Sequence, residues 1–160
     1  MAELQLSFVL HDENETEDIA KRIAASCLMP LVVTFGGQLG VGKTTLIRFM
    51  LRALGVSGAI KSPTFSLVES YMIPSAVTIH HFDLYRIADE AELDYIGFRD
   101  YFSTNTLCCI EWPERAPHVL SLVDLHCSLA ITDQAHRILT ISAKSANGLI
   151  CLSKLVGSHA

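Results

Sequence analysis

The sequence predicts an α/β protein: one domain over residues 1–160, with a mostly parallel sheet flanked by helices and an antiparallel hairpin near the C-terminus. Three observations predict it. Short apolar runs at 31–35, 76–82 and 107–110 read as buried strands. Stretches of helical period lie between strands, as parallel connections require. Two further runs, 123–131 and 137–142, flank the polar turn Thr132-Asp133-Gln134-Ala135-His136 and read as a hairpin.

In order, Leu4, Leu6, Phe8 and Leu10 alternate with Gln5, Ser7 and Val9, so residues 4–10 form a strand. Asn14 or Thr16 caps a helix that runs to about residue 27, with Ile19, Ala20, Ile23, Ala24 and Cys27 inward. Glu13, Glu15, Glu17 and Asp18 suit its positive end, and Pro30 precedes the next strand.

That strand, 31–35, leads into Gly37-Gln38-Leu39-Gly40-Val41-Gly42-Lys43-Thr44, which fits G-x-x-x-x-G-K-[ST] without mismatch. Leu46, Ile47, Met50, Leu51 and Leu54 then fall on one helical face. Strand, glycine turn, helix is the setting in which this pattern is a phosphate site, the P-loop. The class narrows to a single-domain P-loop NTPase. Glycines let the backbone approach phosphate, and successive N–H groups form an anion nest backed by a helix N-terminus. Lys43 supplies a mobile charge for the β- and γ-phosphates. The Thr44 hydroxyl is a hard ligand suited to Mg²⁺, and Thr45 is placed to donate to the α-phosphate.

Gly55 ends this helix and Gly58 continues the turn. Lys61-Ser62-Pro63-Thr64-Phe65-Ser66 follows. In switch proteins a segment here reaches the γ-phosphate through a hydroxyl. Ser62 or Thr64 is the candidate sensor; an ordinary polar turn entering a strand is the alternative. The strand at 76–82 ends at Asp83, where open α/β sheets place ligand-contacting groups. His80 and His81 are neighbours on a strand and point to opposite faces, which argues against one metal site; one is expected buried and one exposed. Asp89 is a candidate cap for a short helix containing Ala91 and Leu93, and Gly97 breaks it. Tyr95, Ile96, Phe98, Tyr101 and Phe102 form a satellite apolar cluster.

The strand at 107–110 stops at Glu111-Trp112-Pro113. A strand ending in an acid downstream of a P-loop is the Walker B arrangement, whose acid holds Mg²⁺ directly or through water. Glu111 in place of the commoner Asp favours action through water. Trp112, the only tryptophan, sits beside the phosphates or in the core. Gln134, Ala135, His136 and Arg137 are a further candidate for the nucleotide base, on position alone. Residues 145–156 form a terminal helix.

Composition narrows the function. No apolar run is long enough to span a bilayer, and the N-terminus carries early acids in place of a basic signal region. Five cysteines, an odd count without C-x-x-C, favour buried reduced thiols in a cytoplasmic protein. The net charge of −5 argues against a self-sufficient binder of DNA or RNA. A guanine-specific N-K-x-D motif is absent, and the arginines are scattered, unlike the lid of a small-molecule kinase. An ATP-gated adaptor stays open.

GGQLGVGKTT, KSPTFSLVE, HHFDLYR and CIEWPER, in this order, resemble the bacterial TsaE (YjeE) family. The resemblance covers roughly residues 10–155. It implies a small ATPase of tRNA threonylcarbamoyladenosine biosynthesis that binds ATP and Mg²⁺. Its partners would be TsaB and TsaD, which modify N6 of adenosine 37 in tRNAs reading ANN codons. Transfer chemistry would belong to TsaD, and tRNA would meet this chain only through the complex. By motif match, Lys43 and Thr44 are the phosphate and Mg²⁺ residues, Glu111 the Mg²⁺-linked acid and Asp83 the acid needed for hydrolysis. Ser62 and Thr64 belong to the switch-like segment, Trp112 adjoins the site, and Glu114 contacts nucleotide. One departure is Gln38, where the family usually has Asp, and Val41 often replaces Ala. Arg86 and Arg115 lie near the motifs without being placed as an arginine finger, so the isolated ATPase is expected to be slow and stimulated by its partners.

Overall fold

The computed structural model describes residues 4–157. The ends of the predicted domain, residues 1–3 and 158–160, lie outside the described residues. Seven strands, β1 (Gln5–Leu10), β2 (Leu31–Gly36), β3 (Val68–Met72), β4 (Thr78–Asp83), β5 (Thr106–Glu111), β6 (Leu125–Ile131) and β7 (Arg137–Ala143), form one sheet. Their order is β1-β7-β6-β2-β5-β4-β3. β6, β2, β5 and β4 pair in parallel. β7 runs antiparallel to β6 and β1 antiparallel to β7, so β1 shares the common direction. β3 is antiparallel to β4 at the other edge. The sheet is mixed and mostly parallel by strand direction, with β6–β7 as the expected hairpin.

Helices α1 (Glu13–Ser26), α2 (Lys43–Leu54) and α4 (Ala146–Gly157) cover one face. α1 packs against both α2 and α4. The larger core lies there, built from the expected inward residues of α1 and α2 together with Val33 and Phe35 of β2. Burying such aliphatic and aromatic side chains stabilises by roughly 1.5–3 kcal/mol each. The other face carries a smaller core under α3 (Glu92–Tyr95) and three 3-10 turns, with Val32, Phe82, Ile110, Phe98 and Val119.

Several boundaries differ from expectation. α1 is capped by Asp12, whose Oδ1 accepts from the Glu15 N–H at 2.9 Å, not by Asn14 or Thr16. Extended backbone at Asp12 turns its carboxylate over the first turn. β4 starts at Thr78, because the segment before it is the turn joining β3 to β4, and it ends on Asp83 itself. β6 starts at Leu125: Asp124 instead exchanges bonds with Val32 across the sheet end, donating its N–H to the Val32 carbonyl and accepting the Val32 N–H on Oδ2. Ala91 precedes α3, and Asp89 accepts its N–H at 2.9 Å. Tyr95 points away from the satellite core and is 91% exposed. His81 is buried, as expected of one of the pair, and His80 is half-buried where exposure was expected, because the Tyr101 ring packs against it.

Parallel register brings the ends of β2, β5 and β4 to one edge. Phe35 lies opposite Glu111, and Glu111 opposite Asp83. The turn after β2 therefore faces two acids from neighbouring strand ends.

Candidate functional site

The glycine turn between β2 and α2 forms as its residue types dictate. Gly42 is the N-cap of α2 with φ 112°, a left-handed conformation that side chains rarely adopt. Gly37 has φ 135°, and a Cβ there would overlap the Leu129 carbonyl oxygen of β6. The loop is thus laid directly on backbone. The first N–H groups of a helix lack intrahelical acceptors, so the start of α2 is an end suited to an anion.

Lys43 is buried. Its ammonium donates to the carbonyls of Gly37 and Gln38, the latter at 3.1 Å, and lies 4.0 Å from the centre of the Trp112 ring. Burial holds its pKa below the ordinary lysine value, while Glu111, Glu114 and Asp83 pull it back up. Glu114 is exposed, yet it belongs to the same electrostatic field.

Thr44 donates its hydroxyl to Glu111, at 2.9 Å to Oε1 and 3.1 Å to Oε2. Asp83 stands beside Glu111 on β4, and its Oδ1 accepts the Tyr85 N–H at 3.0 Å. Desolvation raises the Asp83 pKa above the ordinary carboxylate value; the Tyr85 bond lowers it and Glu111 raises it further. Two hard oxygens, Thr44 Oγ1 and the Glu111 carboxylate, converge at the start of α2. This donor set fits Mg²⁺, which takes one or two protein oxygens together with phosphates and waters. Among the described residues no cluster of three His, Cys, Asp or Glu side chains forms an all-protein metal cage.

Trp112 adopts a left-handed backbone, φ 58°, as it caps the turn Pro113–Arg115. Its ring lies 4.8 Å from that of Tyr85, and the Arg115 guanidinium sits 5.5 Å from the Tyr85 ring. Lys43, Trp112, Tyr85 and Arg115 thus form one stack beside the loop.

Ser62 and Thr64 are not drawn into this cluster. Their hydroxyls lie 2.9 Å from one another, and Phe65 between this pair and β3 is 87% exposed. The segment is nevertheless tied to the site through backbone, because the Asp83 N–H donates to the Leu67 carbonyl at 3.0 Å. Arg86 stacks over Phe65 at 4.8 Å.

Beside Thr45, a cavity of about 290 Å³ is lined by Leu10, Val41, Gly42, Leu129, Ala135 and Arg137, among others. Arg137 Nε donates to the Val41 carbonyl at 2.8 Å, pinning the glycine turn from β7. Of the stretch Gln134 to Arg137 singled out by position, Ala135 and Arg137 line this cavity, and Gln134 and His136 do not. The contribution of residues 10–13 was not read from the sequence, since only the β1–β7 pairing carries them there. A larger groove of about 1090 Å³ opens at the opposite end of β2, away from the acids.

Residues 10–139 match the family described as "Threonylcarbamoyl adenosine biosynthesis protein TsaE". This chain belongs to the TsaE family. It is 46% identical to TsaE of Haemophilus influenzae over 108 residues, 68% of each chain. It is 35% identical to TsaE of Rickettsia bellii over 143 residues, 89% of this chain and 98% of that one. The crystal structure of YdiB from Bacillus subtilis superposes with a TM-score of 0.81 at 22% identity, covering 100% of this chain and 99% of that chain. That match concerns the fold, and it agrees with the P-loop α/β architecture.

Proposed function

We propose that this chain is the ATP-binding and ATP-hydrolysing component of threonylcarbamoyl adenosine biosynthesis. It supports turnover of a TsaB–TsaD transferase and leaves the transfer itself to that pair. Support comes from family membership and from one geometric observation: Thr44, Glu111 and Asp83 meet at the mouth of the glycine turn. ATP and Mg²⁺ are the cofactors, and tRNA is reached only through the complex. The cytoplasm is the proposed compartment; among the described residues no helix is long and apolar enough to cross a membrane.

The turn from Gly37 to Gly42, with Lys43, Thr44 and Thr45, cradles the phosphates through N–H groups, the ammonium and hydroxyls. Lys43 leaves the Gly37 and Gln38 carbonyls to meet phosphate oxygens. Its closeness to Trp112 makes that tryptophan a reporter of the event. Bound Mg²⁺ would neutralise charge on the phosphates, with Thr44 and Glu111 holding it. Asp83 orients the attacking water, and its raised pKa suits a group that must briefly hold a proton. The cavity beside Thr45 seats the base, with Val41 and Leu129 as apolar walls and Arg137 at its edge. Preorganised charge and positioning carry most phosphoryl-transfer catalysis. Ser62 and Thr64 act as a γ-phosphate sensor only after the segment swings in.

ATP titration and phosphate release test this reading. Lys43→Ala should abolish nucleotide binding. Asp83→Ala should bind ATP and fail to hydrolyse it. Phosphate release is expected to be slow for the isolated chain and faster with TsaB and TsaD. Normal turnover in Asp83→Ala would remove the water-orienting role. ATP-dependent partner binding that survives the Asp83 change would make docking, not hydrolysis, the main contribution.

A further inference from the structure

Glu111 makes a second bond that the mechanism above does not use. His81 Nε2 lies 2.7 Å from Glu111 Oε2. His81 is 1% exposed and Glu111 2%. The strand register explains the meeting: Asp83 lies opposite Glu111, and His81, two residues earlier, emerges on the same face of β4. A carboxylate only accepts, so Nε2 carries the hydrogen and donates. His81 Nδ1 is buried and has no hydrogen-bond partner among the described residues. The bond to Glu111 is therefore the one that orients the ring.

We propose that His81 is a positioning residue that fixes the Glu111 carboxylate for the metal-linked nucleotide. The proposal rests on the Mg²⁺·ATP reading above. Thr44 alone cannot fix the carboxylate, because its single hydroxyl proton is shared between Oε1 and Oε2 at 2.9 and 3.1 Å. The bond from His81 reaches only Oε2 and so distinguishes the two oxygens. It holds Oε2 inward and leaves Oε1 with the Thr44 hydroxyl at the mouth of the loop. Groups that orient a metal-linked side chain in this way commonly carry 10- to 100-fold in metal affinity.

The test measures ATP binding through Trp112 fluorescence, with Mg²⁺ titrated in and with the metal chelated. His81→Leu removes the donor and should weaken the Mg²⁺ dependence by about 10- to 100-fold, with metal-free ATP binding held near wild type. His81→Gln, whose amide nitrogen reaches the Nε2 position, should restore most of it. His81→Asn, whose amide stops short, should not. The Gln and Asn pair keeps the comparison open if His81→Leu does not fold. Thermal melting run in parallel separates lost folding from lost positioning. A His81→Leu titration equal to wild type, or Gln and Asn variants impaired alike, overturns the inference and leaves the ATP reading standing. A wild-type chain whose ATP binding ignores Mg²⁺ overturns both.

Discussion

Gly37 shows how one atom decides the site. Its φ of 135° is outside the range of ordinary side chains, and a Cβ would strike the Leu129 carbonyl. Gly37→Ala should cost about 1–3 kcal/mol, the usual range for forcing an extra group into packed structure, and weaken ATP binding by displacing the loop. Urea denaturation followed by Trp112 fluorescence gives the first number, and ATP titration of the folded variant the second. Gly42, equally left-handed, has open space where its Cβ would go, so backbone strain alone would act there. Lys43 is a different case: Lys43→Ala should lose the proposed nucleotide binding without disturbing packing around Leu46 and Ile47, which face the core from the next turn.

Among the elements, α1 depends on the residue that precedes it. Asp12 accepts from Glu15, and the Glu15 carboxylate in turn accepts the His11 N–H at 2.7 Å. The Asp12-x-x-Glu15 spacing carries a cap signal that the expectation of Asn14 or Thr16 passed over. Asn14 and Thr16 are also capping types, and the extended backbone at Asp12 selects it over them. Asp12→Ala should cost about 1 kcal/mol and lower the melting temperature by about 2–4 °C. Circular dichroism on heating checks both. α4 is held differently. Ser145 accepts the Gly148 N–H at 3.0 Å and donates to Asp124 Oδ1 at 2.6 Å, so the helix start is stapled to the entrance of β6.

For the molecule as a whole, the sheet and its covering helices keep thiols out of water. Cys108, Cys109, Cys127 and Cys151 are buried, and Cys27 is half-buried. Burial pushes the Cys108 thiol from 9.0 to about 12, with Thr106 opposing slightly, and raises Cys109 and Cys127 as well. The sign follows directly. Above pH 9 the unfolded chain loses thiol protons that the folded chain keeps, so stability falls as pH rises from about 9 towards 12. The urea midpoint should therefore drop between pH 7.5 and 10.5. Cys108→Val should flatten the slope, and an unchanged slope would show that this thiol does not contribute. At neutral pH the folded chain should resist thiol reagents that label all five cysteines in urea.

Local order along the chain was enough for the strand-turn-helix of the phosphate loop, the hairpin and the two acids at strand ends. Each is written as a short run with its own punctuation, whether glycines, a turn or a change of period. Nothing local could say that His81 meets Glu111, thirty residues away, or that Arg137 braces Val41. Those meetings follow from which strands lie side by side and in what register, and pairing between distant segments leaves no mark in either segment alone. The same reason explains Ser62 and Thr64. Their residue types suit a phosphate sensor, but their distance from the loop depends on how β3 docks against β4.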